Sequence, residues 1–275
     1  MRFVVQLIAV LAVSFLAGQA VALVDGQPWL SLGVGLGAAV VATIVYSAVV
    51  RATEKRVVTE TSGRTAASGL IRGLLLGVAV FSVVIGVIAV NGGYRIIGFG
   101  ADPVNAVGLA GFMAAAVTAE ELLFRGVLFR HLERVTGTWL ALTVSALVFG
   151  GVHLLNTNAT WWGALCVAIA GGGMLTSAFI AARDLWLPIG LHFGWNYAQS
   201  AIFGSEVSGN GVREGILHSE SSGNTLISGG QFGPEASVFT LVAGVVVTSV
   251  FLWLAARRGR LVPMRRAAQP SKIAG

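Results

Sequence analysis

The chain has 275 residues, is 55% hydrophobic and only 11% charged, and carries a formal net charge of +6. Ordinary soluble domains carry about 25% charged residues, so this composition excludes a water-soluble globular fold and points to a polytopic membrane protein. The basic balance does not imply nucleic acid, because the Arg and Lys residues sit in short loops with no aromatic interleaving and no nucleic-acid motif.

Apolar patterning predicts an all-α transmembrane bundle of about eight spans, near 3–24, 29–50, 70–91, 106–129, 138–156, 161–182, 185–204 and 236–256. The first span carries Ala20-Val21-Ala22, which resembles a signal-peptide cleavage site. Its apolar run from Phe3 to Leu23 exceeds the usual signal core of about 7–15 residues, so a retained span is expected. The connection at 51–69 is polar and basic. Residues 205–235 are rich in Gly, Ser and Asn and hold four Glu against one Arg, which predicts a flexible extracytoplasmic loop. The chain thus divides into N-terminal spans (1–105), a core (106–204), that loop (205–235), and a last span with a basic tail (236–275).

Charge sets the expected orientation. With both termini in the cytoplasm, sixteen of the eighteen basic residues fall on the cytoplasmic side, leaving Arg95 and Arg213 outside. Membrane lipid is therefore an expected partner, through anionic headgroups beside these basic loops. The single cysteine, Cys166, allows neither an intrachain disulfide nor a thiolate metal cluster.

Ionisable residues inside apolar spans are costly, about +2.5–3.5 kcal/mol each on translocon scales, and need a reason. Glu120, Glu121 and Arg125 follow a stretch without charge from Ala106 to Ala119. Glu121 and Arg125 are four apart in the favourable order for a helical ion pair, expected near the cytoplasmic end of the helix. Glu120 points about 100° away and has no such partner, which makes it the freer carboxylate and a candidate general base. His153 closes Phe149-Gly-Gly-Val-His153, and His192 and Asn196 share a helix face. Structural readings stand beside these: an acid bridging two helices, and imidazole or amide groups as interhelical hydrogen bonders. At about 1.5 Å per residue from the cytoplasmic ends, His192, Glu120 and His153 come out about 10, 14 and 22 Å deep. A base, two imidazoles and an amide are what water activation requires. The His-Glu-x-x-His zinc signature is absent.

Glu120-Glu121-x-x-x-Arg125, Phe149-x-x-x-His153 and His192-x-x-x-Asn196, in this order on successive spans, resemble the three motifs of the CPBP (Abi) family of CAAX prenyl endopeptidases and bacteriocin-processing enzymes. The resemblance covers residues 120–196 and implies an intramembrane endopeptidase, a hydrolase that cuts a peptide or membrane-protein substrate. It implies that Glu120 activates water, His153 positions the water or binds a metal, and His192 and Asn196 stabilise the oxyanion, with Glu121 and Arg125 in support. Zinc held by Glu120, His153 and His192 and a metal-free, glutamate-dependent route both fit the resemblance. Arg outnumbers Lys 16 to 2 amid abundant Ala, Gly and Val, as in a GC-rich bacterium, where prenylated CAAX proteins are not expected and bacteriocin maturation, self-immunity and processing of another membrane protein are all open. Two other classes compete: a transporter, which would show inverted repeats, and a non-catalytic immunity or scaffold protein. Convergence of the four polar residues on one cavity, expected on the cytoplasmic side, separates them.

Overall fold

The computed structural model describes residues 1–100, 102–211 and 215–264. Arg213, Arg265, Arg266 and Lys272 from the charge pattern lie outside the described residues. The chain runs α1 (Arg2–Ala22), α2 (Pro28–Glu54), α3 (Gly63–Val90), β1 (Tyr94–Phe99), α4 (Asn105–Thr136), α5 (Thr138–Leu155) and α6 (Trp161–Ala182). It continues through α7 (Trp186–Tyr197, extended in π form over Ala198–Ile202), β2 (Leu217–Ser221) and α8 (Val238–Arg257). Seven of these helices are long and apolar enough to cross a membrane by length and composition, all but α7. The architecture is the polytopic all-α bundle that the composition predicts.

Apolar side chains cover its outside. Ile8, Phe15, Ile44, Val83 and Val246 are each more than half exposed, the pattern of a surface solvated by lipid. Exposed Trp29 and Trp161 mark one end of the bundle and Trp139 and Trp253 the other, as in interfacial aromatic belts.

Several helices outrun their predicted spans because charge pairing at one end holds them. Gln6 Nε2 donates to Thr53 Oγ1 (2.7 Å) and Glu54 Oε1 (3.0 Å), joining the start of α1 to the end of α2. Arg130 reaches Glu54 and Glu60, both at 2.6 Å, and Arg183 pairs with Glu133 at 2.5 Å. This basic end also holds Arg51, Lys55, Arg56, Arg134, Arg257 and Arg258. α4 therefore continues to Thr136 rather than stopping near 129.

The opposite end is built from β1, β2 and the 205–235 connection. The described residues of that connection carry local structure and side-chain contacts. β2 pairs antiparallel with β1 across a bulge at Ile96/Gly98. Glu235 accepts from Ser208 N (2.5 Å) and Ser208 Oγ (2.6 Å), and Trp162 Nε1 donates to the Ala236 carbonyl (2.8 Å). The order comes from turn glycines and polar pairs, which hydropathy does not register. Gly233, at φ +104°, is one: a Cβ there would sit 2.4 Å from the Glu206 carbonyl.

α7 is seated by backbone contact. Gly69, Gly73 and Gly77 of α3 face Gly190 and Gly194 of α7. A Cβ at Gly73 would lie 2.3 Å from the Leu187 carbonyl, and one at Gly194 2.3 Å from the Leu74 carbonyl. Small residues four apart permit this approach. Gly73→Val must push α7 away. The expected cost is at least about 1–3 kcal/mol of overpacking, with activity falling more steeply than stability because α7 carries His192 and Asn196. Denaturant melts run beside cleavage assays check this, and a variant with wild-type activity removes the seam from any role in placing the site.

Candidate active site

Three helices carry π-helical segments where they pass one another: Leu122–Phe129 in α4, Ala168–Gly172 in α6 and Ala198–Ile202 in α7. Such segments recur at functional sites because they release backbone groups and rotate the helix beyond them. Arg125 lies in the first, Gly171 in the second, and the third begins two residues after Asn196. The Gly126 carbonyl, within the first segment, receives Arg130 Nε at 2.8 Å and lies 3.0 Å from the buried Tyr46 hydroxyl.

At the centre is a fully buried row. Arg125 Nη1 donates to Glu121 Oε1 at 2.8 Å, and both side chains are 0% exposed. The same oxygen accepts from His192 Nδ1 at 2.9 Å. Arg125 Nε also points at Thr176 Oγ1 (3.3 Å), and its guanidinium carbon lies 4.4 Å from the centre of the Phe149 ring. Phe149 packs in turn against His153 and His192, with ring centres 4.9 and 6.0 Å away. Glu121 is thus more than a helical ion-pair partner. It fixes His192 by one ring nitrogen and turns Nε2 toward Glu120 Oε2, 3.8 Å away. The ion pair also sits mid-bundle rather than near a helix end, because α4 is longer than its apolar run.

Glu120 differs from its neighbour: its side chain is 39% exposed, and its one ion-pair contact among the described residues is His192. His153 donates Nδ1–H to the Phe149 carbonyl at 2.7 Å, which leaves Nε2 as its lone-pair nitrogen. All four polar residues proposed from sequence, Glu120, His153, His192 and Asn196, line one cavity. A second, larger cavity adjoins it and shares Glu120, His153 and Asn196.

The zinc expectation meets a different arrangement. Among the described residues no three His, Cys, Asp or Glu side chains gather as a ligand set. Nδ1 of His192 is committed to Glu121 and Nδ1 of His153 to a carbonyl. Each ring keeps Nε2 for the cavity, the arrangement that outer-shell partners give metal-binding histidines, and no chemical step below runs through a metal.

Sequence reasoning missed the far wall. Val207, Ser208, Asn210 and Glu235, all from the connection after α7, line the same cavity. So does Cys166, whose side chain is buried in α6. The only sequence signal for the cap was its four acids. The cavity lies far from the basic end: Glu120 is 16 residues from the end of α4 at Thr136, about 24 Å at 1.5 Å per residue. No residue of the basic-end connections lines either cavity.

Burial, reinforced by nearby Glu235, holds the Glu206 carboxyl above its ordinary range, against a lowering hydrogen bond from the Gly211 backbone N–H. A carboxyl raised on folding binds its proton more tightly in the native state. Its contribution to stability is complete below the unfolded value and is lost as pH rises through the folded one. Glu206→Gln should therefore melt higher than wild type at pH 8, with the difference vanishing in acid. Melting curves across pH check the sign, and a variant that melts lower at pH 8 contradicts it.

Residues 102–198 match the family model for Rce1-like type II CAAX prenyl endopeptidases. The match covers about a third of the chain and makes this region similar to the CPBP/CAAX protease family. No curated protein and no solved structure matches the chain. The matched segment runs from just before α4 into α7 and contains Glu120, Glu121, Arg125, His153, His192 and Asn196, while the cavity's far wall from 207–210 and 235 lies outside it. The fold is that of a multi-pass membrane protein, and its matched region resembles CAAX-type proteases.

Proposed function

We propose that the chain is an intramembrane endopeptidase that hydrolyses a peptide bond with water activated by Glu120. The convergence of Glu120, His153, His192 and Asn196 on one cavity, deep between apolar helices, carries this reading. Glu120 is the only one of the paired acids with open access to that space, so it takes the proton from the water as it attacks the carbonyl. His153 accepts a hydrogen bond from the same water through Nε2. The oxyanion falls to Asn196, whose amide makes no hydrogen bond among the described residues, and to His192. With Nδ1 already donating to Glu121, His192 serves as a donor only when Nε2 is protonated as well. Glu121 and Arg125 hold that ring. Proton return to the leaving amine falls to Glu120 by the reverse path.

The basic end supports a cytoplasmic location for both termini, and the composition a bacterial plasma membrane. The substrate is a membrane-associated peptide or protein precursor. Mapping new N-termini in membranes that express wild type or Glu120→Gln tests the activity, and identical sets of termini overturn it.

Asn196→Ala tests the oxyanion role. Loss of one such donor typically lowers turnover by about 10²–10³-fold, and substrate affinity should hardly change. A variant that melts early yet turns over normally while folded makes Asn196 an interhelical tie instead.

A further inference from the structure

The two ends of the bundle differ in charge, and the catalytic cavity belongs to one of them. Hydrogen bonds fix which ends coincide: Gln6 with Glu54, Arg130 with Glu60, Arg183 with Glu133, and Arg258 with the Ala181 carbonyl all meet at the basic end. Asn156 with the Ser208 carbonyl, Asn158 with Gly209, and Glu235 with Ser208 all meet at the other. Among the described residues that other end has one cation, Arg95, paired with Glu220. The positive-inside rule puts the basic end in the cytoplasm. Both cavities holding Glu120 take their walls from the opposite end, through Asn156, Val207, Asn210 and Gly211.

We propose that the catalytic chamber opens on the extracytoplasmic face and takes internal stretches of exported or membrane-anchored polypeptide, neutral or cationic in charge. The side follows from topology and the chemistry from the lining. Glu120 and Glu235 face the space, and no Lys or Arg lines it among the described residues. A chain terminus that presents a free carboxylate finds no Lys or Arg to pair with among the described residues there and meets two acids instead. An internal segment carries no such charge, and a basic one is drawn in. The choice of substrate rests on the endopeptidase reading above; the sidedness does not.

Cysteine accessibility tests this without a known substrate. Glu120→Cys, Asn210→Cys and Lys55→Cys are each made in a Cys166→Ala background. Right-side-out and inverted membrane vesicles are treated with impermeant methanethiosulfonates, one carrying trimethylammonium and one sulfonate. Glu120→Cys and Asn210→Cys should react in right-side-out vesicles and Lys55→Cys only in inverted ones. At Glu120→Cys the cationic reagent should react faster by about tenfold or more, and Glu235→Gln should narrow that gap. Reaction of Glu120→Cys only in inverted vesicles overturns the proposal. So does its silence in both while Asn210→Cys reacts outside. Equal rates for the two reagents overturn the charge preference. In the N-terminus mapping, Glu120-dependent cuts should fall in exported, internal segments; cuts in cytoplasmic segments count against the proposal. An absence of any such cuts, with outside labelling intact, strikes the endopeptidase reading alone.

Discussion

Glu120→Gln should lower the cleavage rate by about 10²–10⁴-fold, the usual worth of a positioned general base, while the protein folds and melts almost as wild type. The second half is as informative as the first. Glu120 is partly exposed, and its buried neighbour His192 keeps its hydrogen bond to Glu121, so the amide keeps the shape. Rates on a substrate taken from the N-terminus mapping, measured beside detergent melts, give both numbers. A fully active Glu120→Gln protein takes the base role from Glu120.

The adjacent residue should behave in the opposite way. Glu121→Gln leaves the Arg125 guanidinium, 0% exposed, without its carboxylate, and breaking one side of a buried pair costs about 3–5 kcal/mol. Activity should also fall, because His192 loses the oxygen that orients it. These losses can be separated. Glu121→Gln combined with Arg125→Met removes both charges and should regain much of the stability, as apolar replacement of buried pairs often does. It should not regain activity. A double variant that recovers both would reduce Glu121 to an ion-pair partner; one that recovers neither would mean that Arg125 anchors more than Glu121. Chemical denaturation of the single and double variants closes the cycle.

The contrast between these two neighbours was legible in the sequence. A spacing of four with an Arg, and its absence one residue earlier, distinguishes a paired from an unpaired carboxylate, and the geometry agrees. The bundle was equally legible, since long apolar runs in lipid leave the backbone little choice but helix. The link from Glu121 to His192 was not, because it joins residues 71 apart and no local pattern encodes it. Nor were the π segments, whose single extra residue per turn leaves the hydropathy unchanged. The cap of 205–211 and 235 looked like loop because glycine conformations and Ser–Glu hydrogen bonds build it. The ends of α2 and α4 were set too short because Glu54 and Arg130 read as loop charges until their partners are seen.

The glycine seam between α3 and α7 also bears on biogenesis. α7 alone among the eight lacks the length and apolarity to cross a membrane, and it carries His192, Asn196 and Gln199. A nascent segment of this kind partitions poorly into bilayer by itself. α3, by contrast, is strongly apolar and can be in place first, with its glycine groove vacant. The later helix then enters the membrane by settling into that groove, exchanging water for protein rather than for lipid. The helix that depends on that groove is thus the one that carries His192 and Asn196, so a chain whose seam stays open has not assembled its proposed site.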